Sequence, residues 1–299
     1  MSRFQKVLIV GARSKLTRPL IEQLSLNTKQ IILHSRNSLS DTFDANVFCC
    51  NGDFSSCADV ISTCDAIIYL AGVAGYGPHQ SKDWSFFYDN NVTPLINILS
   101  LISPEKLRKF IYVSSTDVFD YGFEKIIDEH TMPTPKNLYG LSKYLAEMCL
   151  MSFFKTRTSD YSIIRPGPIY GGRDKNRFGL AKVFADLAAH KSVDVFNPSS
   201  ELGLMSVNEV SEAIAALLHR NIEIVNLVGS HASLRETINH FCSIVNSKSD
   251  IKWHKDIAPL KLNFDRQLTQ TLLGRKPDIV FAPAALELQK FVQGEGSDI

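Results

Sequence analysis

The stretch KVLIVGARSKLTRPLIEQLSL (residues 6–26) decides the fold. Lys6 to Val10 is a short apolar run that stops at Gly11, and Leu16, Leu20, Ile21 and Leu24 then recur at helical spacing. This order predicts a strand, a glycine turn and a helix. Further apolar runs follow at IILH (31–34), NVFCC (46–50), AIIYL (66–70), FIYV (110–113) and YSII (161–164), each set off by polar or helix-like sequence. Strands that are apolar throughout, joined by helical crossovers, predict an α/β doubly wound parallel sheet covered on both faces.

After Arg165 the pattern changes. The Pro/Gly-rich RPGPIYGG (165–172) leads to a basic loop, a helix near Phe178 to His190, and smaller elements. The expected division is a doubly wound domain over 1–165 and a smaller lobe over 166–299. That lobe is partly interleaved with the sheet and ends in a flexible tail at 293–299.

Composition narrows the class of partner. A chain of 299 residues with 44% hydrophobic and 21% charged residues has enough apolar material for one sizeable core or two coupled lobes. Its net charge of +1 gives no electrostatic reason to expect nucleic acid or an anionic membrane as a partner. The apolar run before Gly11 is too short for a secretory core, and no segment approaches transmembrane length, so a cytoplasmic protein is expected. Cys49, Cys50, Cys57, Cys64, Cys149 and Cys242 show no metal-binding spacing and are expected to be reduced thiols; no metal is called for.

Chemistry concentrates in two runs. FIYVSSTDVF (110–119) ends a strand on Ser114, Ser115 and Thr116, and NLYGLSKYLAE (137–147) sets Tyr139 and Lys143 four residues apart. On a helix such residues share one face, so a phenol and an ammonium stand side by side. An adjacent ammonium stabilises tyrosinate and would lower the phenol pKa, which makes Tyr139 a candidate general acid or base. A hydroxyl from the strand end could share the substrate oxygen.

Gly11, between a strand and a helix, stands where a dinucleotide pyrophosphate meets backbone N–H groups and the positive end of the helix. Ser14 and Thr17 occupy the spacings of the usual second and third glycines. At the end of the second strand, His34-Ser35-Arg36 replaces the acidic residue that would accept from an adenosine ribose. Arg36 and Arg13 would attract a 2′-phosphate, which predicts NADP(H) in preference to NAD(H), with NAD(H) still possible.

With these residues in order, the chain resembles the extended short-chain dehydrogenase/reductase family of nucleotide-sugar epimerases, dehydratases and 4-ketoreductases. The resemblance runs nearly end to end. Besides the glycine turn it rests on Gly52-Asp53, LAGVAG from Leu70, Asn91-Val92, YVSSTDVF, YGLSK, RPGPIYGG, SVNEV (206–210) and LLGRKP (272–277).

The resemblance implies a Rossmann domain with a smaller C-terminal substrate-binding lobe. It makes Ser115 the catalytic hydroxyl with Thr116 as neighbouring candidate, Tyr139 the proton donor, and Lys143 the residue that lowers its pKa and holds the nicotinamide ribose. Gly11, Arg13, Ser14, Lys15, Leu16, Ser35, Arg36, Asp53, Phe54, Leu70, Ala71, Gly72 and Asn91 would contact the cofactor, with Pro166 and Gly167 beside the nicotinamide.

The basic residues in GARSKLT and LHSRN favour an NADPH-dependent reductase of a nucleotide-activated keto-deoxysugar. A NAD-dependent 4-epimerase and a non-catalytic dinucleotide-binding sensor or scaffold are the alternatives. On the substrate side, Glu201 to Met205 lacks the family's diphosphate-binding arginine; Arg173, Lys175 and Arg177, or Arg275, would supply charge instead. His79 and Trp84 could touch a sugar. Helices near Val92 to Leu101 and Leu138 to Phe154 match the family's dimer-forming pair, which implies a homodimer.

Overall fold

The computed structural model describes residues 4–37, 39, 46–75, 77–103, 105–120, 126–172, 179–261 and 263–294. Its strands are β1 (Phe4–Val10), β2 (Thr28–Ser35), β3 (Val47–Asn51), β4 (Ala66–Tyr69), β5 (Lys109–Val113), β6 (Asp160–Pro166), β7 (Ile169–Tyr170), β8 (Val193–Val195), β9 (Met205–Ser206), β10 (Ile224–Leu227) and β11 (Ile251–Trp253). Its α-helices in the first half are α1 (Thr17–Ser25), α2 (Ala58–Ser62), α3 (Trp84–Phe87), α4 (Thr93–Leu99) and α5 (Leu138–Phe154). The second half adds α6 (Gly179–Ala188), α7 (Val207–Leu217), α8 (Leu234–Val245), α9 (Gln267–Leu273) and α10 (Ala282–Val292).

Seven strands form one parallel sheet in the order β10-β6-β5-β4-β1-β2-β3, a Rossmann-like α/β fold. The order turns around between β1 and β4. Crossovers leave in opposite directions there, and an open α/β sheet parts into a crevice above the strand ends. Val10 pairs with His34 on one side and Tyr69 on the other, so Gly11 and Leu70 emerge level at that crevice.

The sheet is covered on both sides because each strand alternates two apolar faces. Val7, Ile9, Ile31, Ile68 and Ile111 pack beneath α1 and α7, while Leu8, Ile67, Tyr69, Phe110 and Ile163 pack beneath α4 and α5. A separate core of Tyr170, Phe184, Leu187, Leu234, Ile238, Phe241 and Leu288 holds α6, α8 and α10 together. The chain leaves the sheet after β6, forms the short pair β7–β9, returns to the sheet at β10, and then adds β11 beside β8. No helix among the described residues is long and apolar enough to cross a membrane.

One expectation is corrected. Cys50 and Cys57 form a disulfide with a Cα–Cα distance of 6.5 Å, so the six cysteines are not all thiols. The turn after β3 brings them together: the Asp53 carboxylate accepts from the Ser56 backbone N–H at 2.8 Å and its hydroxyl at 2.7 Å. That folds the start of α2 back onto the strand end. Sequence spacing alone does not reveal such a pairing.

Candidate active site

The crevice is a cleft of about 790 Å³. Gly11 is its floor. With φ of +92°, and with an added Cβ only 2.7 Å from the Ala71 nitrogen, the position accepts glycine alone, and the two strand-end backbones lie against each other. The N–H groups of Gly11 and Ala12 both donate to the His34 carbonyl, at 3.1 and 3.0 Å, which locks the turn to β2.

Helix α1 begins above this turn with Leu16 at its N-cap and no capping side chain. Elsewhere Asn137, Ser206 and Ser233 cap α5, α7 and α8. Ser14 meets the start of α1, its carbonyl accepting the Thr17 N–H at 3.0 Å and its Oγ the Leu16 N–H at 3.3 Å; with the positive end of the helix dipole above and glycine beneath to permit close approach, these residues fit a dinucleotide pyrophosphate.

Of the residues expected to hold a cofactor, Gly11, Arg13, Ser14, Ser35, Arg36, Asp53, Phe54, Leu70, Ala71 and Gly72 line the cleft. Arg13 and Arg36 are exposed at its rim. Lys15 and Leu16 do not line it: Lys15 Nζ donates to the Ile169 carbonyl at 2.7 Å, and Leu16 is buried in the core. His34, which sequence reasoning passed over as a site residue, also lines the cleft and stacks on Phe54 with ring centroids 4.6 Å apart. Burial pushes its pKa below the ordinary value, which favours a neutral ring that can stack with Phe54 against a purine.

A second cluster lies at the ends of β4 and β5. Ser115 caps the 3-10 turn Thr116–Val118; its Oγ accepts from the Asp117 N–H at 3.1 Å and donates to Asp117 Oδ2, also at 3.1 Å. Thr116 is buried beside it. The Ser115 hydroxyl also hydrogen-bonds the Tyr139 phenol. Burial pushes that phenol well above its ordinary pKa and the Asp117 carboxylate pushes it further, while the Ser115 bond opposes the rise.

Lys143 stands one turn on from Tyr139, as its spacing predicts, but its ammonium is engaged elsewhere. Nζ donates to the Val113 carbonyl at 2.6 Å and lies 4.5 Å from the Tyr112 ring centre. Burial lowers its pKa to about 7, against a raising influence from Glu147. The expected lowering of Tyr139 by Lys143 is therefore not what governs the phenol here; desolvation and Asp117 do.

A π-helical turn, Tyr88–Val92, aims Asn91 inward. Its Oδ1 accepts from the Val73 N–H at 2.7 Å, and its Nδ2 donates to the Val73 carbonyl at 3.2 Å and Ser142 Oγ at 2.9 Å. Asn91 thus fastens the loop after β4 to α5 without lining the cleft. Beneath the cluster, Ser114 donates to Glu147, which is held by Arg165 at 2.7 Å in a buried pair.

Gly140 makes this assembly compact: a Cβ there would lie 2.0 Å from the Asp117 carbonyl oxygen. Gly140→Ala is expected to push the turn after β5 away from α5. It should destabilise the fold by about 2–4 kcal/mol, read as a lowered denaturant midpoint. An unchanged midpoint would show that the two elements can separate freely.

The substrate-side candidates are less gathered. Arg173, Lys175 and Arg177 lie outside the described residues. Arg275 does not face a substrate space, because Glu209, Glu212 and Asp278 engage its guanidinium at 3.3, 3.2 and 3.6 Å. His79 packs on Phe86 at 5.0 Å and Trp84 on Tyr88 at 5.9 Å; neither lines the cleft. Pro166 ends β6 against β10, and Gly167 touches the loop at Gly203, whose carbonyl would lie 2.7 Å from an added Cβ.

A doubly wound parallel sheet, a glycine floor at its turning point and a serine–tyrosine–lysine cluster define an NAD(P)-binding enzyme of the short-chain dehydrogenase/reductase type. Comparison with known proteins agrees. The model of the NAD dependent epimerase/dehydratase family matches residues 7–227, and the chain belongs to that family. It is 22% identical over 222 residues to a UDP-glucuronate 4-epimerase of Thermodesulfobacterium geofontis, covering 72% of this chain and 68% of that one. It is 27% identical over 199 residues to the GDP-6-deoxy-D-mannose reductase of Pseudomonas aeruginosa, covering 62% and 65%.

Among solved structures, the UDP-N-acetylglucosamine 4-epimerase of Methanobrevibacter ruminantium superposes with a TM-score of 0.83 at 16% identity, covering 99% of this chain and all of that one. A Bacillus cereus UDP-glucuronic acid 4-epimerase, in complex with UDP-glucuronic acid and NAD, gives 0.78 at 17% identity, covering 98% and 100%. At these identities the structural likeness speaks for the fold.

Proposed function

We propose that the chain is a nucleotide-sugar 4-epimerase working through a held nicotinamide dinucleotide. The observation that carries this reading is the Tyr139 phenol hydrogen-bonded to Ser115 one helical turn from Lys143, at the strand ends beside a glycine-floored cleft. When bound, the dinucleotide supplies the acceptor and donor of a hydride. Tyr139 takes the proton of the sugar hydroxyl and later returns it, with Ser115 orienting the reacting oxygen. Lys143 holds the ribose side of the cofactor, and Gly11, Ser14 and the start of α1 hold its pyrophosphate.

The sequence relatives support epimerisation over the NADPH-dependent reduction expected from the arginines, since UDP-sugar 4-epimerases recur among them. Exposed Ile96, Leu141 and Met148 on α4 and α5 support a homodimer through that face. A cytoplasmic location follows from the chemistry of nucleotide-activated substrates. The test is direct: purified protein should interconvert a UDP-hexose or UDP-hexuronate with its 4-epimer without added reductant, and no interconversion across such a panel would refute the reading.

A second reading, an NADPH-dependent 4-ketoreductase, is favoured by Arg13 and Arg36 at the cleft rim and by the GDP-6-deoxy-D-mannose reductase relative. Arg36→Asp is expected to weaken NADPH binding by about 10- to 100-fold, the loss of one charge-assisted phosphate contact, with little effect on NADH. Isothermal titration measures both. Tighter binding of NADH than NADPH by the unaltered protein would remove the case for a 2′-phosphate site.

A further inference from the structure

We propose that the Cys50–Cys57 disulfide is a thiol-exchange site that sets how tightly the cleft holds the adenosine half of its dinucleotide. The proposal needs only the cleft and is independent of the reaction carried out there. The two cysteines close a loop in which Gly52, Asp53, Phe54 and Ser55 all line the cleft. Cys50 is the register partner of His34, so the bond is made beside the ring that stacks on Phe54. Cys50, Phe54 and Cys57 also pack into one apolar cluster.

Without this bond that wall of the cleft is lightly held. β3 is the last strand of the sheet and pairs only with β2, while α2 is a five-residue helix that has no side-chain cap and buries only Ile61. A single helical turn does not hold itself together. The hydrogen bonds across the loop are short-range: the Gly52 N–H donates to the Ser35 carbonyl at 3.1 Å, His34 Nε2 donates to the Gly52 carbonyl at 3.2 Å, and the Cys57 N–H donates to the Phe54 carbonyl at 3.2 Å. Joining the edge strand to the helix removes open loop conformations. Adenosine then meets a wall already in place, and binding has less left to order.

The two sulfurs differ in access. Cys57 is 1% exposed, whereas Cys50 is half-buried on the edge strand, so an incoming thiolate attacks Cys50 Sγ. The S–S bond breaks, and Cys57 leaves as a thiolate that takes up a proton. A second thiol of a dithiol reductant then displaces Cys50 from the mixed disulfide; the protein ends with two thiols and the reductant with one disulfide. A low-molecular-weight disulfide reverses the exchange. In a thiol-rich compartment such a pair switches rather than persists. The neighbouring thiols do not compete: Cys49 projects from the opposite face of β3, and burial pushes the Cys64 thiol up to about 12.

The test titrates NADH, NADPH and ADP-ribose calorimetrically into protein oxidised with glutathione disulfide and into protein reduced with dithiothreitol, alongside non-reducing peptide mapping. The map should join the Cys50 and Cys57 peptides in the oxidised sample. Reduction should weaken the preferred dinucleotide and ADP-ribose alike, by about 10-fold. Cys57→Ser should bind like the reduced protein and ignore dithiothreitol, while Cys49→Ser keeps the response. If Cys57→Ser does not fold, Cys50→Ser breaks the same link. Equal affinities in the two redox states, a response that survives loss of either cysteine, a weakening absent for ADP-ribose, or a map with Cys50 and Cys57 unpaired would each overturn the proposal. None of these readouts involves turnover, so failure of the epimerase reading would leave it standing.

Discussion

Tyr139→Phe is expected to lower turnover of a UDP-sugar about 1000-fold while NAD(P) affinity and the melting temperature stay close to those of the parent enzyme. The substitution removes one oxygen and leaves the ring, which packs 6.3 Å from the Phe87 ring and against Gly75. Shape is preserved and only the acid–base group is lost. Ser115 keeps its bond to Asp117, so the turn after β5 has no reason to move. Equilibrium cofactor titration and steady-state rates on the same preparation separate the two effects, and turnover within tenfold of the parent would mean that another group handles the proton.

Lys143→Met is expected to cut activity as deeply, and to stabilise the protein at neutral and lower pH. Burial holds the Lys143 pKa near 7, below its value in an unfolded chain of about 10.4. Between those two values the unfolded state binds more protons, so parent stability rises with pH through that window. The cost of the buried ammonium is present in full below about pH 7 and is relieved towards pH 10.

Methionine fills similar volume without that cost, although it leaves the Val113 carbonyl without its donor, a loss of about 1–3 kcal/mol. The variant should therefore melt several degrees above the parent at pH 6, with the difference shrinking as pH rises. A difference that does not change between pH 6 and 9 would show that Lys143 does not titrate in that range.

Most of the fold was legible because it is written locally. The predicted helices at Leu138 to Phe154 and around Leu20 and Leu24 correspond to α5 and α1, and the apolar runs correspond to β1 to β6. Each depends on residues within one element, where periodicity follows from backbone geometry. The glycine at position 11 was readable for the same reason: its role is set by the turn it makes.

The site was less legible, because it is made of contacts between elements far apart in the chain. Tyr139 and Lys143 were placed correctly on one face of α5, yet their spacing says nothing about what else surrounds them. Asp117, read only as a letter in SSTDVF, acts on the phenol because the turn after β5 packs against Gly140. His34 enters the cleft because the turn at Gly52 brings Phe54 over it, and Arg275 leaves the substrate side because α7 presents Glu209 and Glu212 to it.

By itself, then, the sequence determined an α/β doubly wound sheet, a phosphate-type glycine turn and a tyrosine–lysine pair on one helix face, since those depend on propensity and period within single segments. Only the tertiary structure decided the protonation setting of that pair and the pairing of Cys50 with Cys57. Desolvation and through-space charge depend on what is packed nearby, and no spacing along one segment encodes that.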